Sequence, residues 1–199
     1  MISIILVIIF ISCSALAEDE INFTKASPEG NLNAISLSKL SKSETYMIVT
    51  ADKRASIAAK NILDKGGSAI DAVIAAQMVL NVVEPQSSGI GGGGFLIYFD
   101  ANKKESLAFD GRERAPIKYH SKVFLKKDGN KKGFIEAISG GLAVGAPSLL
   151  SMLEVAHKKY GLLDWKNLFN EAINYAGNGF IVGERLSKLS KKAPHLKNH

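Results

Sequence analysis

The sequence predicts a layered α+β fold, and three observations support this. Hydrophobic residues make up 46% and charged residues 22% of the chain, which is typical of a globular protein. The 199 residues can bury a substantial core and favour one domain. Capped helical patterns stand on both sides of a stretch with the alternating apolar pattern of a β-hairpin. The predicted order is strand, helices, hairpin, strand region and helices.

The first elements are predicted from caps and β-branched residues. Residues 46–50, YMIVT, indicate a short strand. Asp52 can cap the helix that follows, and Gly66 can end it. Ser68 and Asp71 resemble a capping box, with aspartate in place of glutamate, at the start of a second helix. Two helices therefore lead into the centre of the chain.

A hairpin and further helices follow. The stretches GFLIYFD and ESLAFDGRE flank the polar turn ANKK, which predicts a β-hairpin. In PSLLSMLEVAHKKYG, Pro147 suits a first helical turn and Gly161 suits the end of the helix. Asp164 can cap a last helical stretch, WKNLFNEAINYAGNG.

The stretch EPQSSGIGGGGF contains five glycines within residues 89–94 and formally matches the phosphate-binding pattern G-x-G-x-x-G. In a dinucleotide-binding fold those glycines follow a strand and open a helix. Here the helical pattern comes first and the strand pattern second, and Phe95 stands where a P-loop needs lysine and serine or threonine. We therefore favour a connector whose bare backbone lets neighbouring segments approach closely.

The N-terminus predicts a secretory signal peptide, residues 1–17. It has no charged side chain, an apolar run over residues 2–11, and small residues at Ala15 and Ala17. Cleavage is expected after Ala17. Lipid attachment at Cys13 is the less favoured alternative, because Phe10 is a poor start for a lipid-attachment box. The run is shorter than the ~20 residues of a membrane span. Residues 18–44 are polar and indicate a flexible lead-in.

Composition argues against several kinds of site. Cys13 is the only cysteine, so a mature chain would have neither a disulfide nor a thiolate nucleophile. The histidines lack metal-ligand spacing, so we expect no metal and no cofactor, and we expect His157 on a helix surface. These histidines are His120, His157, His195 and His199.

The chain is basic, with a formal charge of +6. The excess lies mainly in residues 118–133 and 185–199, where the lysines indicate solvated faces. Arginines interleaved with aromatic residues in a nucleic-acid-binding module are not found, so no nucleic-acid partner is expected.

Four blocks together resemble a known family, over residues 46–189. They are GGSAIDAVIAAQMVLNVVEPQSSGIGGGGF, FDGRERAP, GGLAVGAP and AHKKYGLLDWKNLFNEAINYAGNGF. In order and spacing they resemble the large-subunit portion of γ-glutamyltranspeptidases, also called glutathione hydrolases. The resemblance implies an N-terminal-nucleophile hydrolase, an αββα sandwich made as an exported proenzyme that cuts itself into a large and a small subunit. Residues 45–199 would be an incomplete large-subunit domain.

The resemblance also implies a mechanism. A threonine exposed by the cut attacks the γ-glutamyl amide of glutathione, and its own amine acts as the base. Water or an acceptor amino acid or peptide then takes the γ-glutamyl group. The sequence ends before the family's processing threonine, and Thr24, Thr45 and Thr50 lie outside the nucleophile position. We therefore expect no catalytic residue here, no activity of the chain alone, and a missing small-subunit half as partner. A truncated form and a piece of a split protein both remain open.

The resemblance assigns one substrate-binding residue, Arg112. In DGRERAP it stands where the family's R-E-x-A-P block places the arginine that binds the α-carboxylate of the γ-glutamyl group. Arg114 occupies the variable position of that block. Along a strand both would share one face, so the pattern rather than the geometry separates them. Without the resemblance, Arg112 would be interpreted as a surface ion-pair residue.

Alternatives remain open within and outside this family. The sequence does not separate hydrolase from transpeptidase preference. It leaves open a relative that acts on poly-γ-glutamate or on acyl side chains of β-lactams. In a different class, the chain could be a non-catalytic binding or interaction domain derived from the same fold.

Overall fold

The computed structural model describes residues 42–193. The predicted signal peptide, Cys13 and most of the lead-in lie outside the described residues. In the described part of the chain no helix is long and apolar enough to cross a membrane.

Two capped helices begin the described fold, as the sequence predicts. Helix α1 spans Lys53–Asp64, and the Asp52 side chain accepts a hydrogen bond from the Arg54 backbone at its start. Helix α2 spans Ala69–Val83 and opens with the predicted capping box, because Ser68 Oγ accepts from Asp71 N and Asp71 Oδ2 accepts from Ser68 N.

Helix α2 is the centre of the hydrophobic core. Ile74 and Val79 are fully buried and Val83 is 1% exposed. The helix packs against α1 and against the later helices, so apolar residues surround it on several sides. Each large side chain that is fully buried contributes about 1.5–3 kcal/mol to folding. This central helix fixes the position of the glycine loop that leaves its C-terminal end.

The predicted hairpin is confirmed. Strands β1, Gly94–Asp100, and β2, Glu105–Gly111, pair antiparallel with Gly94 opposite Gly111. The inner face packs on the core, where Tyr98 lies 4.5 Å from Tyr160 between ring centroids. The outer face of β1 carries three exposed side chains, Phe95, Ile97 and Phe99.

The second half of the fold is a series of short helices. They are α3, Phe134–Ile138; α4, Leu149–Tyr160; α5, Asn170–Asn178; and α6, Glu184–Lys191. The 3-10 helix Ser121–Phe124 precedes α3, and two more 3-10 helices, Gly141–Ala143 and Trp165–Phe169, lie between the later helices. The core extends into this half through residues such as Leu153 and Leu168.

Two predicted helix starts need correction. Helix α4 begins at Leu149 with Ser148 as its N-cap, so Pro147 lies before the helix and not in its first turn. Asp164 does occupy the N-cap position of Trp165–Phe169, but its side chain makes no capping hydrogen bond. The predicted end of α4 at Gly161 is confirmed.

The predicted strand at residues 46–50 is wrong. The segment is extended, and Ile48 packs on the core while Met47 and Val49 are exposed, which is the alternation of a strand. Within the described residues, however, β1 and β2 form the only sheet, and neither pairs with this segment. Without a partner it has no ladder hydrogen bonds.

His157 is not on the helix surface as predicted. Its side chain is only 15% exposed, and its Nε2 lies 3.4 Å from Oδ1 of the fully buried Asp71. The same nitrogen forms a 2.8 Å hydrogen bond with the carbonyl oxygen of Leu163. Asp71 also accepts hydrogen bonds from the backbone of Leu162 and Leu163, so this cluster joins the start of α2 to the loop after α4.

Candidate functional site

Arg112 has a fixed backbone and an accessible side chain. It follows directly after β2, which ends at Gly111. Its N–H donates to Asp110 Oδ1 at 2.9 Å, and its carbonyl accepts from Ser148 Oγ at 2.8 Å. The side chain is 64% exposed, and Nη1 donates to Glu113 Oε2 at 2.8 Å. The guanidinium is therefore anchored at its base and open to a ligand.

Arg112 and Glu113 lie at the junction of two clefts. The larger, which we name the Arg112 cleft, has a volume of about 590 Å³. It is lined by Gly91, Arg112, Glu113, Arg114, Ala115, Pro116, Tyr119, Phe124, Ala137, Ile138, Leu142, Ala143, Val144 and Gly145. The smaller cleft, of about 360 Å³, lies between the glycine loop and α4 and contains the same arginine and glutamate. A ligand bound in either cleft can therefore contact the guanidinium.

Arg114 is placed differently. Its carbonyl accepts a 2.8 Å hydrogen bond from the backbone of Ala146, and the residue lines the Arg112 cleft but not the smaller cleft. Because β2 ends at Gly111, strand alternation does not govern the residues that follow, and the expected shared strand face of the two arginines does not apply. The two arginines thus differ in position as well as in sequence pattern.

Glu113 is the site residue that sequence reasoning missed. It lies between two glycines, Gly93 and Gly145. A Cβ on Gly93 would lie 2.7 Å from Glu113 Oε2 and 2.3 Å from the Gly111 carbonyl oxygen, and a Cβ on Gly145 would lie 2.9 Å from Glu113 Cβ. Side chains at these positions would push Glu113 away from Arg112. The signal in the sequence was the acidic neighbour of Arg112 together with two glycine-rich stretches.

The glycine loop is a connector, as favoured from the sequence. Helix α2 precedes it and β1 follows it, the reverse of the dinucleotide-binding order. The carbonyl of Gly92 accepts hydrogen bonds from the backbone N–H groups of Ser148 and Leu149, at 3.3 and 3.2 Å. The amides of Ser148 and Leu149 at the start of α4 are thus occupied by the loop itself. Bare backbone here allows contact with β2, Glu113 and α4 at once.

The hydroxyl of Thr50 is already engaged. It donates to the Asp52 carbonyl at 2.6 Å and lies 2.7 Å from Ser56 Oγ, where it supports the start of α1. Thr45 is exposed on the segment before the helix, and Thr24 lies outside the described residues. Residues 42–193 contain no group of three or more histidine, cysteine, aspartate or glutamate side chains placed to hold a metal ion.

Comparison with known proteins gives consistent similarities. Residues 55–199 match the sequence profile of a family described as Gamma-glutamyltranspeptidase. The glutathione hydrolase proenzyme of Bacillus subtilis is 41% identical over 150 residues, which cover 73% of this chain and 26% of that protein. Glutathione hydrolase 3 of Arabidopsis thaliana is 36% identical over 180 residues, covering 90% of this chain and 26% of that protein.

A solved structure shows the same similarity in three dimensions. The γ-glutamyltranspeptidase of Helicobacter pylori superposes with a TM-score of 0.72 at 35% identity, over 78% of this chain and 44% of that chain. The fold is thus the predicted N-terminal-nucleophile hydrolase class, an αββα sandwich present in part. The chain spans about a quarter of the length of these curated relatives.

Proposed function

The chain belongs to the gamma-glutamyltranspeptidase family, and on this premise we propose that it is the N-terminal part of an exported γ-glutamyltransferase or glutathione hydrolase. The enzyme cleaves the γ-glutamyl amide of glutathione and transfers the γ-glutamyl group to water or to an acceptor amino acid or peptide. The observation that carries the proposal is the exposed guanidinium of Arg112 at the junction of two clefts.

Arg112 binds the α-carboxylate of the donor in this proposal. Every γ-glutamyl donor carries this free carboxylate at a fixed distance from the scissile amide. A planar guanidinium can hold it with two parallel hydrogen bonds, which fix both charge and orientation. Arg112 has donors left for this role, because the described contacts of its side chain use Nη1 alone. Glu113 holds the guanidinium at the junction of the clefts while the ligand binds.

The nucleophile is a threonine supplied by the complementary small-subunit half. Its hydroxyl oxygen attacks the γ-carbonyl carbon, its own amine takes the hydroxyl proton, and that proton passes to the leaving amine as the amide bond breaks. Water or an acceptor amine then attacks the resulting ester and releases the threonine. The engagement of Thr50 in the start of α1 supports a nucleophile from elsewhere.

The proposal is tested with a chromogenic γ-glutamyl anilide. The assembled enzyme, this chain with its complementary half, should release the amine, whereas the matched α-glutamyl anilide should not react. Residues 18–199 alone should give no turnover, because a positioned nucleophile and oxyanion donors supply most of the rate. Turnover by the pure fragment would contradict the assignment of the nucleophile. An assembled protein that cleaves neither donor would favour the non-catalytic interaction domain.

We also propose that the protein is exported and that residues 1–17 are removed as a signal peptide. This proposal is supported by the uncharged apolar run and the Ala-Leu-Ala ending at Ala17. Cleavage would leave a mature chain that begins at Glu18, in which the thiol of Cys13 is no longer present.

A further inference from the structure

The hydroxyl group of Ser148 contacts the backbone of Arg112 and not its own helix. Ser148 occupies the N-cap position of α4, where a serine side chain ordinarily accepts a hydrogen bond from the first helical turn. Here the side chain makes no capping hydrogen bond. Ser148 Oγ instead donates to the carbonyl oxygen of Arg112 at 2.8 Å, across 36 positions of sequence. A residue type suited to capping is therefore engaged with the candidate site.

The backbone conformation of Ser148 differs from that of the residues that do cap helices in this fold. Asp52 and Ser68, which cap α1 and α2 with their side chains, have extended backbones with ψ angles of 134° and 169°. Ser148 has a φ of −136° and a ψ of 1°. Extended backbone is the usual conformation of an N-cap residue whose side chain accepts from the first turn. The conformation of Ser148 thus accompanies a side chain that is directed to Arg112.

The backbone of Ser148 is fixed from two sides. Its N–H donates to the carbonyl of Gly92 in the glycine loop at 3.3 Å, and its carbonyl accepts from the N–H of Met152 at 2.9 Å. Met152 also lies against the end of β2, because a Cβ on Gly111 would be 2.6 Å from Met152 Cβ. The hydroxyl group is therefore presented to Arg112 from a position held by both the glycine loop and α4.

The carbonyl that Ser148 binds belongs to the peptide group joining Arg112 to Glu113. The orientation of this planar group is set by ψ of Arg112 and φ of Glu113, and the same two angles decide where the side chains of the ion pair point. The other edge of the peptide group is closely approached by the glycine loop, since a Cβ on Gly93 would lie 2.8 Å from Glu113 N. Ser148 and Gly93 thus restrict the same peptide plane.

We propose that Ser148 is a positioning residue for donor binding, whose hydroxyl fixes the peptide plane between Arg112 and Glu113 and so keeps the guanidinium at the junction of the two clefts. This role rests on the proposed function, because the α-carboxylate of the donor is the ligand of that guanidinium. Ser148 is half-buried and lines neither cleft, so it acts through Arg112 and does not touch the donor. Two parallel hydrogen bonds to a carboxylate depend on the direction of the guanidinium, which makes donor binding sensitive to this contact.

Steady-state kinetics of the assembled enzyme with a γ-glutamyl anilide test the role of the hydroxyl. Loss of one hydrogen bond in Ser148→Ala should raise KM about 2–10-fold, with a smaller change in kcat. Ser148→Thr keeps the hydroxyl and should restore KM, whereas Ser148→Val has nearly the shape of threonine without the hydroxyl and should behave like Ser148→Ala. Ser151→Ala is the control, because Ser151 is an exposed serine of α4 outside both clefts.

A double-mutant cycle separates positioning from a purely structural role. In the Arg112→Ala background, Ser148→Ala should not raise KM further, because the hydroxyl acts through the guanidinium. An equal rise in both backgrounds, or equal KM values for the threonine and valine variants, would overturn the role of Ser148 and leave the function standing.

Binding of free L-glutamate distinguishes failure of this role from failure of the proposed function. If the assembled protein cleaves no γ-glutamyl donor, the function fails, and titration calorimetry with L-glutamate still decides the role of Ser148. Weaker binding by Ser148→Ala and Ser148→Val than by the wild type and Ser148→Thr would support it. Equal binding by all four proteins, or no binding by any of them, would overturn it.

Discussion

Arg112 Nη1 donates a 2.8 Å hydrogen bond to Glu113 Oε2 at the junction of two clefts. The pair is partly exposed, with 64% of the arginine side chain and 27% of the glutamate side chain accessible. An exposed pair of this kind contributes little to stability, because solvent and salt screen it. The pair instead fixes the position of the Arg112 side chain. Glu113 orients the guanidinium without burying it, so the remaining donors can face a carboxylate.

The close approach of Gly93 to Gly111 and Glu113 predicts that one added methyl group strongly lowers the stability of the fold. Gly93→Ala would place Cβ 2.3 Å from the Gly111 carbonyl and 2.8 Å from Glu113 N, both backbone atoms that cannot rotate away. Overpacking of this kind costs about 1–3 kcal/mol in the free energy of unfolding. Gly89→Ala is the control, since nothing lies within 4 Å of its Cβ. Urea denaturation of both variants measures the difference, and equal stabilities would contradict the close approach.

The buried Asp71 predicts a second stability effect. Its Oδ2 accepts from the backbone N–H groups of Ser68, Leu162 and Leu163. Asp71→Ala would leave these three backbone donors without their acceptor, at a cost on the order of 2–4 kcal/mol. Asp64→Ala removes an exposed carboxylate paired with Lys60 and should cost much less. Thermal unfolding of the two variants compares them, and a smaller loss for Asp71→Ala would contradict the role of this carboxylate.

Asp52 predicts an acid-sensitive contribution to stability. Hydrogen bonds from the Arg54 side chain hold the pKa of Asp52 below its ordinary value of 3.8. A carboxylate with a lowered folded-state pKa stabilises the fold above its unfolded-state pKa, and this contribution is lost as the pH falls through the lowered value. Asp52→Asn should therefore be less stable than the wild type at neutral pH, and the difference should shrink below pH 3.8.

Denaturation midpoints measured across the acid range test this prediction. At neutral pH, Asp164→Asn is the control for the cap, because the Asp164 side chain makes no capping hydrogen bond. A difference between wild type and Asp52→Asn that stays constant down to the lowest pH would show that Asp52 acts as a cap without its charge.

The sequence allowed prediction of those elements that depend on neighbouring residues. The caps at Asp52 and Ser68 act within three positions, and the hairpin follows from alternation on both sides of a four-residue turn. The wrong predictions depend on distant residues. The extended residues 46–50 needed a strand partner, and His157 is covered because the distant Asp71 contacts it, together with the Leu163 carbonyl just beyond α4.

The candidate site was predictable only in part for the same reason. Arg112 was assigned because it lies in a recognisable block of sequence, and its role stays a prediction. The close contacts of Glu113 with Gly93 and Gly145 could not be predicted, because these three residues are far apart in the sequence.

The first residue of the secreted protein tests the proposed cleavage of the signal peptide. Secreted protein should have Glu18 as its first residue, because the small residues at Ala15 and Ala17 suit signal peptidase. N-terminal sequencing of the mature chain measures this, and the variant Ala17→Arg should accumulate as unprocessed precursor. A mature chain that begins at a lipid-modified Cys13 would support the alternative and exclude cleavage after Ala17.

The central claim is that Arg112, and not Arg114, binds the α-carboxylate of the γ-glutamyl donor, and steady-state kinetics of the assembled enzyme test it most directly. A charge-assisted hydrogen bond is worth ~1.5–3 kcal/mol, so Arg112→Ala should lower kcat/KM by at least ~10–150-fold, mostly through KM. Arg112→Lys should recover little, because an ammonium cannot form two parallel hydrogen bonds. Arg114→Ala should cost much less, with circular dichroism confirming that all variants fold. A near-normal KM for Arg112→Ala together with lost donor binding in Arg114→Ala would contradict the account and assign the carboxylate to Arg114.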